Sequence, residues 1–244
     1  MHRNQIARLF IVGCLCLLLL AGCSQGQHKS SEGPTYAVTR PTTQLTHDYA
    51  RWEKSIAAFE TQDQTNPPPK GGIEFTGAST IARWKTLAKD YPANKVFNRG
   101  FGGSMICDVT HYADRMIFPY EPKMIFFRSG GNDLHAGMSV EEVFADYQTM
   151  VKTIHARLPN TTIVWISLSP SPARWTERDA NKMLNGLVKA YNHSRPYLKY
   201  IDCWDIPLTK DGQAREELFV ADKLHFNEEG YKLLAERVRP LMPK

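Results

Sequence analysis

From residue 73 onward, short apolar runs alternate with polar-apolar stretches of helical period. The apolar runs are "IEFT" (73–76), "KVFN" (95–98), "KMIFFR" (123–128), "TIVWISL" (162–168) and "YIDCW" (200–204). Each is of strand length and is followed by Gly, Ser or a charged residue. Helices are predicted between and after them, over 80–90, 104–117, 139–158, 176–194 and 228–239. A further helix over 47–61 precedes the first strand, joined to it by the loop "QDQTNPPPKGG" (62–72). The middle strands are apolar without a two-residue period, as a sheet covered on both faces requires. Strand and helix in strict alternation imply parallel strands with right-handed crossovers. The predicted fold is α/β: a three-layer α/β/α sandwich around a five-stranded parallel sheet. Such sheets bind ligands beyond the carboxyl ends of their strands.

Four segments occupy those ends or the loop before the last helix. "FTGAST" (75–80) follows the first strand, "NRGFGGS" (98–104) the second and "SGGND" (129–133) the third, while "DKLHFNEEGY" (222–231) leads into the final helix. Together they hold a serine, glycine amides, an asparagine, an aspartate and a histidine, the parts needed for acyl transfer. Taken alone, "GAST" supports a plainer role, with Ser79 or Thr80 as a helix N-cap. "GGND" taken alone is good turn chemistry for Asn132 or Asp133. Asn227 is the natural N-cap of the last helix.

The four blocks, in this order, resemble those of the SGNH hydrolases of the GDSL esterase and lipase superfamily, whose fold is flavodoxin-like. The resemblance covers nearly all of residues 70 to 240. It implies Ser79 as nucleophile, His225 as general base and Asp222 as the acid that orients it. It implies an oxyanion hole formed by the Ser79 amide, the Gly103 amide and the Asn132 side chain. Within the glycine loop, Gly100 and Gly102 are alternatives to Gly103. A serine hydroxyl attacks well only when imidazole takes its proton, and imidazole needs a carboxylate to fix its tautomer and charge. The usual "GDS" of the family is "GAS" here, so Ala78 stands where an aspartate is normal, which bears on local geometry and rate rather than on reaction class. No glycine follows two residues after Ser79, so the G-x-S-x-G elbow of α/β-hydrolases is absent. His111 and His135 are positional rivals of His225. Asp222 and His225 lack a third ligand cluster for a metal site, and no metal or cofactor is expected. In "SPSPARW" (169–175), Arg174 and Trp175 read as loop packing rather than as site residues.

The expected function is a serine esterase acting through an acyl-enzyme, on lysophospholipid-like or other acyl esters. The alternative substrate is an O-acetylated cell-wall or other polysaccharide, and the alternative of another class is a non-catalytic, ligand-binding envelope lipoprotein. The first 46 residues bear on location. "MHRNQIAR" carries two arginines and no acid, "LFIVGCLCLLLL" is too short to span a bilayer comfortably, and "LAGC" (20–23) ends it. This resembles a bacterial lipoprotein signal: residues 1–22 are removed and Cys23 is lipidated. Ser24 favours the outer membrane, facing periplasm or exterior. Residues 23–46, rich in Ser, Gln, Gly, Thr and Pro, read as a tether before one catalytic domain over 47–244. The formal charge of +5 has no clustered basic footprint, which excludes nucleic acid as a partner. Of the five cysteines, Cys107 and Cys203 remain in the domain, and two free, buried thiols are expected.

Overall fold

The computed structural model describes residues 47–243; the expected signal segment (1–22), the expected lipidation site Cys23 and the expected tether (23–46) lie outside these residues. A 3-10 turn at Tyr49–Trp52 leads into α1 (Glu53–Thr65), and strand β1 (Ile73–Gly77) follows. Then come α2 (Ser79–Ala82), α3 (Leu87–Asp90), β2 (Val96–Gly100), α4 (Ile106–His111) and α5 (Ala113–Met116). β3 (Met124–Arg128), α6 (Gly131–His135), α7 (Val140–Arg157), β4 (Thr162–Ile166), α8 (Arg178–His193), β5 (Leu198–Ile201) and α9 (Glu228–Val238) complete the chain.

The five strands form one sheet in the order β2-β1-β3-β4-β5, every pair parallel. Ile73 and Phe75 point to one face, where they meet Ile81, Trp84, Leu87, Leu234 and Val238. Ile125, Phe127, Ile163 and Trp165 point to the other, against Val109, Met116, Tyr147, Met150 and Leu184. All of these are 4% exposed or less, so both faces are sealed, as the absence of alternation in the strands requires.

The differences from the sequence expectation lie at element ends. The helix expected over 80–90 is two short pieces, because the chain turns at Arg83 and drives Trp84 into the core, where its indole N–H donates to Asp90 (2.7 Å). The helix expected over 104–117 starts at Ile106 and breaks at Tyr112, whose hydroxyl donates to the Tyr49 carbonyl (2.8 Å). β4 ends two residues early, since Asn185 of α8 takes both backbone groups of Leu168, accepting its N–H (2.9 Å) and donating to its carbonyl (2.8 Å). Cys107 and Cys203 are both free thiols, Cys203 buried and Cys107 half-buried.

Candidate active site

Gly77 sets up the first part of the site. Its φ is +127°, and a Cβ there would lie 2.1 Å from the Arg128 carbonyl oxygen on the neighbouring strand. Only glycine fits both the conformation and the approach. The chain then turns at once into α2. Ala78, extended and without a side-chain cap bond, is the N-cap, and Ser79 is the first helical residue. Ser79 is therefore not the cap, and its hydroxyl turns outward beyond the sheet's carboxyl edge.

That hydroxyl meets a loop from the far end of the chain. Ser79 Oγ lies 2.8 Å from His225 Nε2, and His225 Nδ1 lies 2.7 Å from Asp222 Oδ2. The loop is tightly made. Asp222 Oδ1 accepts the amides of Leu224 and His225, each at 2.9 Å, and Lys223 between them adopts φ +57°. An antiparallel bridge between Phe219 and Phe226 closes the loop, and the Val220 amide donates to the His225 carbonyl (2.9 Å). Asn227 then caps α9 through the Gly230 amide (3.1 Å), as its place in the sequence predicts. Burial acts to raise the Asp222 pKa, but the His225 ring and the two amides outweigh it and hold the carboxyl well below the usual carboxylate range. Arg83 Nη1, 3.5 Å from Asp222 Oδ2, adds a cation at the solvent side.

The candidate oxyanion donors converge on the same edge. Among the described residues no acceptor meets the backbone N–H of Ser79, Gly102 or Gly103. Gly100 is excluded as a donor to substrate: its N–H goes to Asn98 Oδ1 (2.8 Å), and a Cβ on it would strike Ala82 N at 2.4 Å. Gly103 has φ +81°, and the Cβ position of Gly102 is 3.8 Å from the Ser79 Cβ, so the loop passes directly beside the serine. Asn132, at the start of α6, donates through Nδ2 to the Ser104 carbonyl (2.9 Å). Its Oδ1 accepts from Arg174 Nη1 (3.1 Å), which also donates to the Gly131 carbonyl (3.1 Å). The carboxamide is thus clamped at both ends, with one N–H of Nδ2 left for a ligand. Asp133 does separate work, accepting the Ile106 amide (3.0 Å), and burial pushes its pKa up to about 7.

Arg174, set aside as loop packing on the sequence, therefore belongs to the site. The cleft of about 80 Å³ beside Ser79 and His225 is also lined by Arg128, Glu177 and Asn181. Glu177 Oε2 and Asn181 Oδ1 are buried acceptors without a partner among the described residues. The rival histidines lie elsewhere in function: His111 stacks on Tyr49, and His135 Nδ1 pairs with Glu177 Oε1 (2.6 Å). One metal-ligand grouping exists among the described residues, His47, Cys107 and Asp108. There the His47–Asp108 contact of 2.7 Å is already a direct hydrogen bond, and the other Asp108 oxygen accepts the Met105 amide (2.8 Å).

The chain matches the family model of the GDSL-like lipase/acylhydrolase family over residues 55–233. Its fold is shared by solved structures of low sequence identity. A protein from Streptococcus pneumonia provisionally identified as a platelet activating factor is 18% identical, with a TM-score of 0.67 over 79% of this chain and 92% of that one. A GDSL-like lipase from Bacteroides thetaiotaomicron is 16% identical, with a TM-score of 0.62 over 80% and 96%. An acetyl-xylooligosaccharide esterase from Geobacillus is 13% identical, with a TM-score of 0.57 over 72% and 97%. Among curated proteins none matches this chain in sequence.

Proposed function

Because the chain belongs to the GDSL-like lipase/acylhydrolase family and is an ester hydrolase, we propose that Ser79, His225 and Asp222 carry out its reaction through an acyl-enzyme. The observation that carries this is the unbroken hydrogen-bond line from Ser79 Oγ through both ring nitrogens of His225 to Asp222. In the forward step His225 Nε2 takes the hydroxyl proton as Oγ attacks the ester carbonyl. The tetrahedral oxyanion is held by the Ser79 and Gly103 amides and by Asn132 Nδ2, and the loss of one such donor typically costs about 3 kcal/mol of barrier. His225 then protonates the leaving alcohol, and water attacks the acyl-enzyme by the reverse use of the same groups. Ala78 in place of aspartate leaves each of these groups in reach of the next.

The cleft favours a short acyl group on a polar alcohol over a long-chain lysophospholipid. It is small, and its unpartnered acceptors Glu177 Oε2 and Asn181 Oδ1 suit hydroxyl donors such as those of a partly acetylated carbohydrate. An acetyl ester should therefore be turned over at least tenfold faster than a dodecanoyl ester of the same phenol. Against the ligand-binding alternative, the test is labelling: a fluorophosphonate should modify the wild type and not Ser79→Ala, and this variant should lose roughly 10⁶-fold in kcat. Equal turnover by both, with neither labelled, would reject the enzyme mechanism.

We further propose that the chain is anchored in the bacterial envelope by lipid on Cys23, on the outer membrane, facing periplasm or exterior. The support is the "LAGC" motif closing an apolar segment. Cys23→Ser should move the protein from the membrane fraction to the soluble fraction, and unchanged membrane recovery would reject the anchor.

A further inference from the structure

The cleft beside Ser79 contains more positive charge than the hydrolysis of a neutral ester calls for. Arg128 ends β3 only 6% exposed and lines the cleft. Its guanidinium donates to the Ser167 carbonyl and, at 2.8 Å, to Ser169 Oγ, both neutral acceptors. No carboxylate pairs with it among the described residues. A buried cation without a counter-charge is costly, and buried guanidinium groups are normally paired. Arg174, which lines the same cleft, is likewise held only by the Gly131 carbonyl and Asn132 Oδ1. The one carboxylate in the lining, Glu177, already faces His135 at 2.6 Å. Two unpaired guanidinium groups and one engaged carboxylate leave the cleft net positive, next to the reacting serine.

Resting on the ester-hydrolase mechanism above, we propose that the cleft takes esters bearing a carboxylate close to the scissile bond, with Arg128 and Arg174 as its counter-charges. The planar fork of arginine matches a carboxylate, and the low-dielectric wall around Arg128 strengthens the pairing. Both guanidinium groups line the same cleft as Ser79, so the anion lies within a few bonds of the ester that Ser79 attacks. The acceptors Glu177 Oε2 and Asn181 Oδ1 remain for hydroxyls on the same molecule.

The matched pair 4-acetoxybenzoate and 4-acetoxybenzamide differs in charge at nearly constant shape. With each rate divided by the ester's own alkaline hydrolysis rate, the wild type should prefer the benzoate by about tenfold or more in kcat/KM, mainly through KM. Arg174→Gln slows both esters through Asn132, but its diagnostic effect is on the ratio, which should fall severalfold. Arg128→Lys should keep the ratio and Arg128→Gln should lose it, so a folding defect is separated from a charge effect. A second measurement does not depend on catalysis: calorimetric titration of Ser79→Ala should give tighter binding of the benzoate by a similar factor. A wild-type ratio at or below one, together with equal binding by Ser79→Ala, overturns the proposal. Absent turnover of both esters with preferential benzoate binding would instead reject the hydrolase mechanism and leave the anion site standing.

Discussion

At the scale of single residues, Asp222 is held ionised well into acid. Its carboxyl is 41% exposed, yet it accepts three hydrogen bonds from His225 and Leu224 that favour the ionised form. A depressed carboxyl pKa contributes stability that is present above the ordinary carboxylate value and is lost only as pH falls through the lowered one. Asp222 therefore stays charged through the range in which an ordinary aspartate titrates, near pH 4. NMR titration of the Asp222 carboxyl should show no transition near pH 4. A midpoint there would mean that the three hydrogen bonds do not hold the ionised form. The residues of this line were legible in the sequence because each sits in a short local block, and local blocks survive any uncertainty about the fold. Arg128, Glu177 and Asn181 were not, since nothing within "KMIFFR", "RWTER" or "NKMLN" marks their side chains as facing one cleft. The one available signal was a charge closing an apolar strand at its ligand-binding end.

At the scale of elements, the step from β1 to α2 depends on the backbone of Gly77. Gly77→Ala would force a Cβ into the Arg128 carbonyl, a backbone group with no freedom to give way. A cost of roughly 3 kcal/mol or more is expected, which for a domain of this size lowers Tm by about 6–12 °C. Displacing Ser79 would remove activity even in the molecules that remain folded. Gly137 supplies the comparison: its φ is +89°, but nothing lies within 4 Å of the added Cβ. Gly137→Ala should cost only the conformational penalty of about 1 kcal/mol and leave kcat/KM unchanged. Equal effects at the two positions would show that φ alone, not the approach to β3, fixes the glycine. This contrast also explains why strand and helix cores were legible while their ends shifted. The cores follow from periodicity within one segment. The ends follow from partners far along the chain, such as Asn185 stopping β4 and Asp90 turning Trp84 inward.

At the scale of the whole molecule, a buried acid in the sheet, Glu74, couples global stability to pH. Glu74 lies on the central part of the sheet, fully buried, and neither carboxylate oxygen has a hydrogen-bond partner among the described residues. Burial raises its pKa well above the usual value, and the nearby Arg99 only partly opposes this. Arg99 is itself committed to Asp63, at 2.5 and 2.7 Å, in a pocket of aromatic rings formed by Phe59, Phe97 and Tyr120. A carboxyl with a raised folded-state pKa contributes fully below its unfolded value of about 4.3, and that contribution is lost as pH rises toward the folded value. In the unfolded chain the group ionises freely; in the core it must stay neutral or be buried charged. Glu74→Gln keeps the shape and removes the titration. The variant's Tm should therefore gain on that of the wild type as pH is raised from about 5 to 9, while the gap closes below pH 4. Other titrating groups cancel in the difference between two proteins that share them. Parallel Tm curves across this range would mean that Glu74 is ionised in the fold, with its charge met by Arg99. The guanidinium would then be serving two carboxylates, and Arg99→Met should destabilise the protein most at high pH.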